Sequence, residues 1–281
     1  MHYGLIIIAA LLFSTQFLFN QRFQQETGNT WSAARTFTIY TSATGFVIFF
    51  ALNGFRLEFS WFSLGVASAL ATVNILYSFA SIKAFDIANL AVYSVFAMLG
   101  GMLLPFAYGV IFAEEPLTGT KLACCLLIAI ALFLTCSSVK GASKGIIFYV
   151  AVFVLNGLCG VLSKIHQSHT MCVDSESFIA ISRAVALIVC LTWQFVSERR
   201  IVLIRRGLIK YTVGYAVFCG IGNLLTLISL NHLPASIQYP IITGGTMVFS
   251  TLISLLRRER LTWRDAASAV IAFTASIVIA L

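Results

Sequence analysis

The chain has 281 residues, of which 59% are hydrophobic and only 10% charged, with a formal net charge of +8. A soluble domain carries roughly 25% charged residues, so the composition excludes an ordinary soluble enzyme and marks an integral membrane protein. The positive balance sits in the loops of an apolar chain, where orientation and contact with anionic lipid explain it, and nucleic acid is not an expected partner.

A helix needs about 20 apolar residues to cross about 30 Å of hydrocarbon. Apolar runs bounded by charged or turn residues predict ten such helices, over 3–20, 31–52, 61–82, 88–112, 119–138, 145–162, 177–196, 211–230, 235–256 and 263–281. The expected class is therefore an all-α integral membrane protein with short loops and no soluble domain. The first run starts at Tyr3 without a basic leader or a small-residue cleavage site, so a retained span is expected rather than a signal peptide. Asn53-Gly54, Glu114-Glu115-Pro116 and Lys140-Gly141 supply ordinary helix stops. The cysteines (Cys124, Cys125, Cys136, Cys159, Cys172, Cys190 and Cys219) show no CxxC spacing, and all but Cys172 lie in apolar runs, where they read as small packing residues.

The chain repeats itself. A shift of 144 residues lays Gly100-Gly101 on Gly244-Gly245, Glu115 on Glu259, and Leu117-Thr118 on Leu261-Thr262. Identity is low, so the argument rests on the equal spacing of glycine and polar positions. With a gap in the loop before the fourth and ninth helices, Asn74 also falls on Asn223. The predicted units are 1–138 and 139–281. Five helices repeated after an odd number of spans insert in opposite orientations, so two inverted five-helix repeats are expected, with a binding site near the midplane between them.

Charges sort by loop parity. Fourteen of the 18 basic residues lie beside odd-numbered loops; the other four are Arg56, Lys121, Lys164 and Arg183. By the positive-inside rule the odd loops are cytoplasmic and both termini lie outside. Every Asp, Glu and His falls in a loop or within about a turn of a helix end, so no carboxylate is expected at mid-membrane depth to couple transport to protons.

Polar residues inside the spans are the candidate substrate-binding set: Thr15, Gln16, Asn74, Ser78, Tyr93, Ser94, Asn156, Asn223, Thr226, Gln238, Tyr239 and Thr243. Each needs a hydrogen-bond partner away from water. Lining a shared polar cavity and gluing helices together both meet that need, and the residues alone leave the two readings open. The glycine pairs fit close helix crossings, with Pro105 and Pro240 as points of local bending. Thr118 and Thr262 fit as N-caps of the fifth and tenth helices, each with an acid near the positive end of the helix dipole. No serine–histidine pair within the spans, no His-rich zinc spacing and no acid cluster for magnesium stands out, so no catalytic residue, metal or cofactor is expected.

The run from Ser94 to Leu134, with its FAEEPLT turn, and the run LPASIQYPIITGGTMVFSTLISLLRRERLT from Leu233 to Thr262 resemble the EamA-like branch of the drug/metabolite transporter superfamily. The resemblance covers nearly the whole chain. It implies an alternating-access carrier of ten helices, with a central cavity lined by helices 1, 3, 4, 6, 8 and 9 and with helices 5 and 10 at the back. The family's proline in helix 4 aligns with Phe96 here, while Pro240 is kept in helix 9. The expected function is secondary transport of small metabolites across the cell membrane, not coupled to protons through a carboxylate. A cavity of amides, hydroxyls and aromatic rings without fixed charge favours neutral, zwitterionic or aromatic solutes such as amino acids. The expected partners are that substrate and the lipid bilayer, with a homodimer as a possible assembly; the alternative is a membrane scaffold or accessory subunit that transports nothing.

Overall fold

The computed structural model describes residues 2–87, 89–112, 119–138, 142–199, 204–230, 235–259 and 261–278. Ten helices fill them: α1 (His2–Thr27), α2 (Trp31–Leu52), α3 (Trp61–Ala84), α4 (Leu90–Phe112), α5 (Gly119–Ser138), α6 (Ala142–Gln167), α7 (Ser175–Glu198), α8 (Arg206–Leu230), α9 (Ala235–Leu256) and α10 (Trp263–Val278). Seven of them are long and apolar enough, as described, to cross a membrane. No strand is present among the described residues.

Each predicted apolar run is a helix, and several run further. The first continues through Gln21, Arg22, Gln24, Gln25 and Glu26, the sixth through Ser163 to Gln167, and the eighth starts at Arg206. Long unbranched polar side chains are good helix formers, so the helix outlasts the apolar stretch that predicts it. Caps set several starts. Thr30 accepts from Ala33 N–H at 3.1 Å at the head of α2, and Ser60 accepts from Ser63 N–H at 3.1 Å at the head of α3. Thr262 and Asp265 cap α10 reciprocally, Thr262 N–H donating to Asp265 Oδ2 at 2.8 Å.

The outer surface is greasy, with Val47, Phe133, Ile147, Ile188, Phe195 and Val270 exposed. Trp31, Trp61 and Trp263 are exposed at the first positions of their helices, the level at which tryptophan anchors a span at the water interface.

Cross-links between helix ends define two faces. On one, here the odd face, Asn29 after α1 donates to Asp86 after α3, and Arg35 in the first turns of α2 pairs with Glu198 at the end of α7. On the other, the even face, Asn53 after α2 donates to Asp174 before α7 at 3.2 Å and to Ser177 Oγ at 2.9 Å. Between the faces, α1 packs on α8 and α9, and α6 packs on α3 and α4. The pair α2 and α7, the pair α4 and α9, and the pair α5 and α10 also meet.

The α4–α6 crossing explains one glycine pair. A Cβ on Gly100 would lie 2.0 Å from the Phe153 carbonyl oxygen, and one on Gly101 would lie 2.7 Å from the Asn156 amide nitrogen. The backbones touch, as small residues permit in lipid. Gly157 of α6 returns the contact, its Cβ position 2.7 Å from the Gly100 carbonyl.

Candidate functional site

A cavity of about 260 Å³ opens inside the bundle, room for on the order of nine waters at ~30 Å³ each. It is lined by residues of α1, α2, α3, α4, α6, α7 and α8. The lining differs from the expected one in that α2, through Phe49, and α7, through Ile179, Ser182 and Arg183, take part, while α9, expected in the wall, contributes no described residue. Among the described residues α5 and α10 contribute nothing to it.

The expected binding residues divide sharply. Gln16, Asn74, Asn156 and Asn223 line the cavity, and Ser78 lines a small adjoining pocket. Asn74 Nδ2 donates to the Leu70 carbonyl at 3.0 Å and Asn223 Nδ2 to the Cys219 carbonyl at 2.8 Å, so both asparagines lean on their own helix four residues back. Asn156 reaches across to α4, donating to the Ala97 carbonyl at 2.6 Å. Gln16 is 7% exposed, and its Oε1 has no partner among the described residues.

The other members of the set are not cavity walls. Thr15, Ser94 and Thr226 turn their hydroxyls back onto the carbonyls of Leu11, Ala91 and Gly222, each at 2.8 Å. Such back-bonding satisfies a hydroxyl inside a helix without any ligand. Thr243, half-buried, is not among the lining residues. Tyr93 is fully buried beside the cavity rather than in its wall. The side chains of Gln238 and Tyr239 lie outside the described residues.

Tyr93 instead belongs to the floor. Its hydroxyl meets Tyr77 Oη at 2.6 Å and Ser81 Oγ at 2.8 Å, and its ring packs edge-on to Phe17 at 5.2 Å and against Phe85 at 4.0 Å. This plug lies between Tyr77 of the cavity wall and Phe85 at the odd-face end of α3. Beyond it lies a second layer centred on Glu259. Its carboxylate accepts from Gln21 Nε2 of α1 at 3.2 Å, from Leu90 N–H at the start of α4 at 3.2 Å, and from Ser254 Oγ of α9 at 2.9 Å. Arg257 pairs with it at 2.9 Å and also donates to Gln21 Oε1. Burial pulls the Arg257 guanidinium below its ordinary value, against the opposing effect of Glu259. The acid of the second E-x-L-T block therefore serves the amino-terminal end of α4, not the helix that follows it. This corrects the sequence expectation, which placed it at the dipole of α10. Thr262 does cap α10, while Glu115 and Thr118 of the first block lie outside the described residues.

The largest departure is Arg183. Nine residues into α7, it lies about 12 Å along the helix at ~1.5 Å per residue, not beside the even loop to which its charge was counted. It lines the main cavity and the two pockets adjoining it. Among the described residues it makes no hydrogen bond or ion pair, and no carboxylate lines the cavity with it. It is close enough to Cys159, Cys219 and the Tyr215 hydroxyl to act on them electrostatically. The expectation of a cavity without fixed charge is corrected. A charged residue at the centre of a span costs about 2.5–3.5 kcal/mol on insertion scales, and such residues face cavities or partners. Tyr77, Tyr215, Cys159, Cys219, Ser163 and Ser182 were missed with it.

One serine–histidine pair does exist. Ser63 Oγ meets His166 Nε2 at 2.9 Å, and the same oxygen accepts from Val173 N–H at 3.3 Å and from Ser60 Oγ at 2.9 Å. Both side chains are buried, with the His166 ring stacked 3.8 Å from Phe178, so the pair fastens the helix ends of the even face.

Ten helices, seven of them long and apolar enough to span a bilayer, around a polar cavity define the class of multi-pass membrane proteins. Residues 143–281 match the model of the EamA-like transporter family. The match covers the second half of the chain, which is thus similar to this transporter family, itself part of the drug/metabolite transporter superfamily. No curated protein matches the sequence. A crystal structure of another protein aligns with a TM-score of 0.64 over 98% of this chain and 94% of that one at 17% identity, a likeness of fold alone.

Proposed function

We propose that the chain is a secondary carrier that moves small metabolites across the cell membrane by alternating access. The observation that carries this reading is the cavity itself, since Gln16 and Asn74 of the first half and Asn156 and Asn223 of the second present polar groups to one space. Two inverted five-helix units, 1–138 and 139–281, fit the packing. Exchanging each helix with the one five positions on turns α1–α8 into α6–α3, α1–α9 into α6–α4 and α2–α8 into α7–α3, and all of these pairs are present.

The exceptions favour one state. α1 packs on α3 and α4 beside the odd face, whereas among the described residues no close packing joins their counterparts, α6 with α8 or α9. On this reading the odd face is the closed one. With the odd loops cytoplasmic, as the charge bias directs, the cavity faces outward and both termini are external. All described acids lie at or near helix ends, which favours facilitated diffusion or exchange over coupling through a titrating carboxylate.

A thermal-shift screen of purified protein against a metabolite panel finds the solute, because a ligand of the folded form raises the melting temperature. We expect at least one compound to stabilise the wild type and to lose that effect in the Asn74→Leu/Asn223→Leu variant. Its flux into liposomes should persist after a protonophore collapses the pH gradient. Flux unchanged in a stably folded double variant would return the asparagines to the role of helix glue, and no flux of any stabilising compound into wild-type liposomes would remove the carrier reading.

A further inference from the structure

We infer that Arg183 makes the cavity an anion-binding site, so that the transported solute carries a carboxylate or a comparable anionic group. The inference rests on the carrier reading and narrows its substrate class, excluding neutral solutes. Three observations converge. Arg183 lies well inside α7, borders the main cavity and both adjoining pockets, and has no ion-pair or hydrogen-bond partner among the described residues. No acidic side chain lines that space with it, so its charge is not balanced from within. Gln16 on α1, nine-tenths buried, lines the same cavity and has an amide oxygen without a partner among the described residues.

A guanidinium is always protonated and offers a planar fork of N–H donors that fits a carboxylate bidentately. Left unpaired in low dielectric it is costly, and an anionic solute would supply the missing counter-charge. Gln16 Oε1, an acceptor, would take an N–H or O–H of the same solute. The rings of Tyr77, Tyr215, Phe17 and Phe49 line the remaining wall and suit an apolar body. A solute of this kind has one anionic end, one donor and an apolar remainder.

Cys159 and Cys219 line the cavity within the field of Arg183 and serve as reporters. A variant keeping only these two cysteines is treated with the anionic (2-sulfonatoethyl) and the cationic (2-trimethylammonioethyl) methanethiosulfonates. Each rate is normalised to that of the same reagent on free 2-mercaptoethanol. We expect the normalised preference for the anionic reagent to be on the order of tenfold or more, a size that one nearby unit charge supplies. It should vanish in Arg183→Gln and in Arg183→Met, a second neutral replacement should the first disturb folding, and it should survive in Arg183→Lys. Equal normalised rates in the wild type, or a preference unchanged in the neutral variants, would overturn the inference while leaving a wet cavity in place. Labelling by neither reagent in a monodisperse protein would remove the cavity, and with it both this inference and the carrier reading.

Discussion

Two arginines inside spans behave oppositely. Arg35 of α2 has a side chain 5% exposed, ion-paired with Glu198 of α7, whose own side chain is 25% exposed. Its guanidinium also lies 5.7 Å from the Trp193 ring centroid. Arg183, on that same α7, has neither carboxylate nor hydrogen-bond acceptor among the described residues and opens onto the cavity. Arg35 is buried and paired, whereas Arg183 is half-buried and faces the cavity, so the two charges sit in different surroundings. Arg35 clamps α2 to α7 at the odd face. Arg183 holds its charge available, at a cost to the fold, as functional groups often do.

The comparison breaks most visibly in stability. Arg35→Gln leaves Glu198 without its partner and should destabilise by up to about 3 kcal/mol, the low end for a broken buried pair because Glu198 is partly hydrated. Arg183→Gln should melt at or above the wild-type temperature, since it removes an uncompensated charge. Thermal unfolding of both variants in one detergent decides; a larger loss at Arg183 would make it the structural residue. A double-mutant cycle of Arg35→Gln with Glu198→Gln should show a coupling of about 1 kcal/mol or more, and additivity within ~0.3 kcal/mol would mean that the ion pair contributes little. The smallest effect belongs to Gly45, whose added Cβ would rest 3.5 Å from Arg183 Cδ, an ordinary contact. Gly45→Ala should change stability by less than about 1 kcal/mol, in the stabilising direction, because alanine is the better helix former. A marked loss would mean that the arginine stem needs more room than that spacing gives.

The fold was legible because lipid demands what a sequence displays plainly, an apolar run for each span. The site was legible where an amide interrupts such a run, as at Gln16, Asn74, Asn156 and Asn223. It failed for hydroxyls, because Thr15, Ser94 and Thr226 satisfy themselves on their own backbone and leave no outward sign in the sequence. It failed for Arg183 because a basic residue near a span's end is normally one that snorkels to water, and parity counting filed it with the loops. A signal was present nonetheless. Tyr77 follows Asn74 by three, Cys159 follows Asn156 by three, and Tyr215 and Cys219 precede Asn223 by eight and four. Those are the spacings of one helical stripe, so tracing each asparagine's face would have drawn the wall.

Glu259 has a consequence for movement. One carboxylate, held by Gln21, by the Leu90 amide and by Ser254, is a knot common to three helices drawn from both halves. None of the three can leave it by much without loosening the grip of the others, so the proposed carrier is expected to unlatch on that side cooperatively, in an all-or-none event rather than a gradual fraying.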